Sequence, residues 1–273
     1  MGNEVRASHV VAIDDTIMPM LRTGHCAKAR MWVYVGDTAH PYNVFDFTLN
    51  RGRDGQKYFL GNYDQVLLAD AYGGYDGVVA GNAIVRAGCW AHLRRKILEA
   101  EKAAPEIAQE AIALVRALYD VEKQGSDVPV EDRLQLRQEQ SAPVLVELRE
   151  KFFDWKEQLL PKHPMAEAIN YALGHWEKLN VFVSDGAVAI DSNVSKRVVL
   201  NRKNSLFVGN ARGDRTAAIL ASITSTCRRH DVDPQLYLTQ LLVNLPLLQM
   251  SDLPDWLPDR WNAAQNVRLT GSA

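Results

Sequence analysis

Two aspartates, Asp14 and Asp70, each follow a short apolar run that reads as a strand: His9-Val-Val-Ala-Ile13 before the first and Val66-Leu-Leu-Ala69 before the second. A carboxylate at the end of a buried strand is costly to desolvate, so two of them point to a site that gains from negative charge. Oxygen ligands of this kind suit a hard divalent cation such as Mg²⁺ or Mn²⁺. The alternative for either residue alone is turn chemistry, because Asp is common where strands meet turns. Cys89-Trp-Ala-His92 is a second candidate constellation. One Cys/His pair cannot complete a tetrahedral zinc site, and no second pair follows. Cys89 and His92 are therefore expected beside the carboxylates as supporting groups, or simply packed at a helix start.

The elements that must position these residues change character along the chain. Up to residue 90 the pattern is of strands: His9–Ile13, Arg30–Val35, the alternating Tyr42–Leu49, Val66–Ala69 and Ile84–Gly88. Asn50-Arg-Gly-Arg-Asp-Gly55 reads as a turn. From Trp90 to about Tyr119 the apolar residues Leu93, Ile97, Ala100, Ala104, Ile107, Ala111, Leu114 and Leu118 recur every three or four positions, as in an amphipathic helix interrupted near Pro105. Further helices are expected over 131–160, interrupted near Pro143, and over 166–179. Three strands, a short connection and a fourth strand ending in an aspartate is the order of a ribonuclease-H-like sheet. The expected fold is thus α/β, a mixed sheet with a large helical insertion. Its parts are a first core segment (1–90), the insertion (91–180), the remainder of the core with a basic cluster (181–230) and a C-terminal tail (231–273).

Charge gives a local signal only. The net charge is −2 over 273 residues, which carries no global signature of a nucleic-acid binder. Between Lys196 and His230, however, eight Lys or Arg face one acid, Asp214. Such a stretch can follow a phosphate backbone; a solvated helix face is the bland alternative. Arg94-Arg-Lys96, Arg202-Lys203 and Arg228-Arg229 are the candidate phosphate contacts, which would position nucleic acid rather than read its sequence. Three widely spaced cysteines argue for a reducing compartment. No signal-peptide core, myristoylation signal or long apolar run is visible, so a cytoplasmic protein without a membrane span is expected.

Six segments occur in order that together resemble the transposase of the bacterial insertion sequence 66 family. They are Ala12-Ile-Asp-Asp-Thr16, Leu68-Ala-Asp-Ala-Tyr-Gly-Gly-Tyr75, Gly88-Cys-Trp-Ala-His-Leu-Arg-Arg-Lys96, Ala189-Ile-Asp-Ser-Asn193, Leu200-Asn-Arg-Lys-Asn-Ser-Leu-Phe207 and Thr226-Cys-Arg-Arg-His-Asp-Val-Asp-Pro234. Leu257-Pro-Asp-Arg-Trp261 is similar to that family's C-terminal ending. The resemblance implies an Asp, Asp, Glu triad on a ribonuclease-H-like core, two divalent metals and DNA strand cleavage and transfer. It also implies DNA as partner and a homo-oligomer on DNA. Asp14 and Asp70 match the two catalytic aspartates, and Cys89 and His92 match the position before the insertion.

Two departures accompany it. The family's proteins carry long upstream segments for end recognition, and this chain starts just before the first catalytic strand. The family also places a Glu-Arg shortly after Asp-Ser-Asn, whereas Asp191-Ser-Asn-Val-Ser-Lys-Arg197 has Lys196 at that point and runs about four residues short. An ammonium has only donors and repels Mg²⁺. Asp191 or Asp185 is left as a substitute ligand, and impaired strand transfer is expected. The alternatives are a non-catalytic DNA-binding remnant, an interfering partner of a full-length transposase, or a ribonuclease-H-like nuclease unrelated to transposition.

Overall fold

The computed structural model describes residues 1–22, 25–52, 54–79, 83–195 and 210–270. The chain divides into two compact units, one formed by Met1–Tyr63 with Ser195–Ala273, the other by Asp64–Val194. The architecture is mixed α/β with five strands among the described residues.

The first unit opens with a short helix α1 (Gly2–Arg6), then strands β1 (Val10–Arg22), β2 (His25–Val35) and β3 (Asn43–Thr48), and helix α2 (Asp54–Leu60). The three strands form an antiparallel meander in which Asp14 pairs Val33 and Asp15 pairs Trp32, while Val33 in turn pairs Phe45. The expected end of the first strand at Ile13 is corrected: β1 runs on through both aspartates to Arg22, and β2 begins at His25 rather than Arg30. The polar Asp-Asp-Thr looked like a stop. Across the ladder it is not one, because Arg30 sits diagonally from Asp15 on the same face and neutralises it at 2.7 Å. The turn expected over Asn50–Gly55 gives way at Asp54 to helix α2. It forms because Phe59 buries its ring against Tyr34, the centroids 3.7 Å apart.

The second unit holds two parallel strands, β4 (Val66–Leu68) and β5 (Val85–Ala87), with the one-turn helix α3 (Asp76–Val79) between them. Helices α4 (Trp90–Glu99), α5 (Pro105–Gln124), α6 (Val130–Leu136), α7 (Ala142–Gln158), α8 (Pro164–Gly174) and α9 (Trp176–Leu179) follow. Pro105 stands at the start of α5, where its missing N–H costs nothing. Between α6 and α7 the chain passes through a π-turn, Arg137–Ser141, so the expected break near Pro143 is a widened turn rather than a gap. Arg137 is fully buried there, paired with Glu122 at 2.6 Å and donating to the carbonyls of Phe182, Asp185 and Gly186. The predicted apolar stripe is the buried one: Leu93, Ile97, Ala111 and Leu118 lie in the core with Trp90 and Phe152.

The chain returns to the first unit with α10 (Ala211–Arg229), α11 (Pro234–Asn244) and α12 (Pro258–Thr270). Asn210 and Asp233 cap α10 and α11 by accepting from Gly213 N and Gln235 N at 2.9 and 2.7 Å. Helix α10 lies along the outer edge of β3. Thr226 Oγ1 accepts from Asn43 N at 3.0 Å and donates to Asn43 O at 3.1 Å, and Ser222 Oγ accepts from Phe45 N at 2.8 Å. The hydroxyls thus satisfy an edge that would otherwise offer unpaired backbone groups. The tail packs on the end of α10 through Cys227, Val232, Tyr237 and Trp261.

Candidate functional site

Asp70 stands two residues beyond β4, where the backbone still pairs through Ala69 N to Ala87 O at 3.1 Å. Its Oδ1 accepts from Tyr72 N at 3.1 Å, a local turn bond that fixes the side chain. Its Oδ2 lies 3.9 Å from His92 Nε2. His92 reaches this place from the first turn of α4, and Gly88, just before that helix, lets the chain pass close to the Lys178–Leu179 backbone. A Cβ there would stand 3.1 Å from Leu179 N, and Gly88 N itself donates to Lys178 O at 2.7 Å. Cys89, the other half of the C-x-x-H pair, is buried and accepts from Ser192 N and Oγ, both at 3.3 Å. So His92 faces the carboxylate, and Cys89 ties the start of α4 to the segment after Ile190.

Two further residues join this cluster. Arg86, on β5, donates through Nη2 to the main-chain carbonyl of Asp70, and its guanidinium lies 4.6 Å from the centre of the Tyr75 ring. Only 8% of Arg86 is exposed, and burial lowers its pKa despite the acids nearby. Tyr171, from α8, has its hydroxyl pKa pushed up to about 12, first by burial and then by the charges of Asp70 and Cys89. An arginine inside an otherwise apolar strand was the visible signal for Arg86. Nothing in the sequence spacing marks Tyr171, which comes from an element a hundred residues away.

In the first unit, successive side chains of β1 point to opposite faces. Asp15 is 2% exposed and held by Arg30 and Arg51, each at 2.7 Å. That makes Asp15 a structural anchor. Asp14, on the other face and half-buried, accepts from Asp15 N at 2.9 Å through Oδ1.

Both possible substitute ligands accept hydrogen bonds. Asp191 accepts from Tyr119 OH at 2.8 Å, Asn193 N at 2.9 Å and Asn193 Nδ2 at 2.7 Å. Asp185 Oδ1 accepts from Ala187 N at 2.9 Å. Among the described residues no three His, Cys, Asp or Glu side chains are grouped closely enough to hold a metal ion. Lys196, Arg202 and Lys203 lie outside the described residues.

Of the basic candidates, Arg94, Arg95 and Lys96 are exposed on α4, opposite the buried Leu93 and Ile97. Lys96 also rests 5.0 Å from the centre of the Tyr171 ring. Arg228 is exposed, but Arg229 is not a surface charge. It donates to Gly36 O, Tyr42 O, Asn43 Oδ1 and Asp37 O between 2.9 and 3.2 Å, binding α10 to the β2–β3 connection. The lone acid of the basic stretch, Asp214, is fully buried with neither carboxylate oxygen hydrogen-bonded among the described residues, and burial pushes its pKa up to about 6. Among the described residues no helix is long and apolar enough to cross a membrane.

The family model of the IS66 transposases matches residues 1–216. Three proteins of Sinorhizobium fredii (strain NBRC 101917 / NGR234), all described as uncharacterized, are similar over most of the chain. The protein y4hP is 31% identical over 92% of the chain and 50% of its own length. For y4jD the figures are 31%, 96% and 55%, and for y4qI 32%, 92% and 51%. The chain spans about half the length of these relatives. With four-fifths of its residues under one family model and the ordered motifs in place, the chain belongs to the IS66 transposase family.

Proposed function

We propose that this chain is the catalytic segment of a DNA transposase with a ribonuclease-H-like organisation, acting on transposon ends and target DNA in the cytoplasm as a homo-oligomer. Family membership carries the reading, and the surroundings of Asp70 support it. A carboxylate pinned by a backbone N–H, with an imidazole at 3.9 Å, is a donor set that suits a divalent cation. In this reading Asp14 and Asp70 hold Mg²⁺ or Mn²⁺, which would supply charge stabilisation for phosphodiester cleavage and strand transfer. His92 orients Asp70, and Arg86 fixes its main chain. Arg94, Arg95, Lys96 and Arg228 contact phosphates, with Arg202 and Lys203 from the neighbouring motif.

Strand transfer is impaired in this reading, because Lys196 stands where the family carries its glutamate. The same observation favours a second reading, a non-catalytic DNA-binding remnant or interfering partner of a full-length transposase. Calorimetric titration of the chain with Mg²⁺ and Mn²⁺, beside Asp14→Ala and Asp70→Ala, tests the site. Weak binding of one ion, lost in both variants, is expected. Tight binding of two ions would overturn the impairment. Binding unchanged in both variants would remove Asp14 and Asp70 from the site.

A further inference from the structure

The second unit carries a cavity in which Arg94, read above as a phosphate contact, stands among residues the catalytic reading does not use. It has a volume of about 240 Å³ and is lined by Ala91 and Arg94 of α4, by Ile112, Arg116 and Tyr119 of α5, and by Asn193. That is several times the share of liquid volume taken by one water, about 30 Å³. Arg94 and Arg116, from different helices, both line it. Neither makes a hydrogen bond or ion pair among the described residues, whereas Arg137 in the same unit is fully paired. The floor is built. Tyr119 OH and Asn193 Nδ2 both donate to Asp191 Oδ2, which holds the phenol and the amide in place. One of the two amide N–H groups of Asn193 suffices for that bond, which leaves the other as a donor.

We propose that this cavity is a phosphate-group site, with Arg94 and Arg116 as the two clamps and Asn193 as a neutral donor. Guanidinium forks match the geometry of phosphate oxygens, and two forks from different helices suit a tetrahedral anion better than a planar carboxylate. Asp191 does not cancel them. Its charge is met by three donors of its own, and two cations remain against one anion. Asp191 therefore acts as the support of an anion site rather than as a metal ligand. As a site for one phosphate of the DNA backbone the proposal rests on the transposase reading. As a site for a phosphoryl group it does not.

The test separates the two. The wild-type chain, Arg94→Gln and Arg116→Gln are titrated with inorganic phosphate, following the side-chain amide resonances of Asn193. A saturable shift in wild type, with affinity at least tenfold weaker in either variant, is expected. No saturable shift in wild type, or equal affinity in all three, overturns the site. Both arginines are exposed, so the variants should fold, and unchanged amide spectra elsewhere check this. In parallel, duplex binding is measured against salt concentration. A contacted DNA phosphate predicts that Arg116→Gln lowers the slope of log K against log salt by about 0.9. Phosphate binding with an unchanged slope upholds the site and assigns it to a small phosphorylated ligand. Absence of duplex binding in wild type counts against the transposase reading, while the phosphate titration still decides the cavity.

Discussion

Arg229 at the end of α10 and the Arg94/Arg116 pair on α4 and α5 are the same residue type put to opposite uses. Arg229 donates to three main-chain carbonyls and one side-chain amide oxygen, and burial lowers its pKa. Arg94 and Arg116 stand exposed over a cavity and make no bond among the described residues. The basic clusters in the sequence mark Arg94 and Arg229 alike as phosphate contacts and leave Arg116 unmarked. Hydrogen-bond partners separate them: a guanidinium whose donors end on backbone oxygens holds the fold together, and one with no acceptor among the described residues is open to a ligand.

The largest expected effect that would break this comparison is Arg229→Ala. It leaves the carbonyls of Gly36, Asp37 and Tyr42 without a charged donor, and should cost about 3 kcal/mol in denaturant unfolding. The salt slope of DNA binding should stay as it was. A fully stable Arg229→Ala chain with a lowered slope would return Arg229 to the DNA surface.

Asp214→Asn comes next. The folded pKa of about 6 exceeds the ordinary value of 3.8, so the folded chain holds its proton more tightly than the unfolded one. The contribution of Asp214 to stability is therefore greatest below about pH 4, falls as pH rises to about 6 and is level above that. The amide removes the penalty. It should raise stability at pH 7 by about 2 kcal/mol, with the gain vanishing near pH 4. A gain independent of pH would mean that charge is not its cause.

Ser222→Ala is the smallest. It removes the acceptor for Phe45 N at the β3 edge and should cost about 1 kcal/mol. Thermal unfolding of the variant reads this directly, and an unchanged midpoint would show that water replaces the hydroxyl.

Much of this was legible in the sequence where one element carries its own signal. The strand before Asp70, the start of α5 at Pro105 and the buried stripe of Leu93, Ile97, Ala111 and Leu118 all followed from local pattern. His92 lies 3.9 Å from Asp70, one of the two placements that the C-x-x-H pair left open. What escaped depends on partners far along the chain. Strand β1 continues past Asp15 because Arg30 and Arg51 neutralise it. Helix α2 forms because Tyr34 waits for Phe59. The role of Arg229 is set by carbonyls nearly two hundred residues earlier. Residues 196–209, where the family's third carboxylate should align, lie outside the described residues.

The joint between α10 and β3 also constrains how this chain can vary in length. Asn43 meets Thr226 and Phe45 meets Ser222, so two steps of strand are matched to four of helix, in opposite directions. Two strand residues advance about 6.7 Å and four helical residues about 6.0 Å. The two rulers keep pace over a few steps and no further. One residue inserted in β3 between Asn43 and Phe45 would turn the next N–H away from the helix. One inserted in α10 between Ser222 and Thr226 would rotate a hydroxyl by about 100°. Tolerated insertions and deletions in this region should therefore fall in the connecting segments on either side of the joint and not within it.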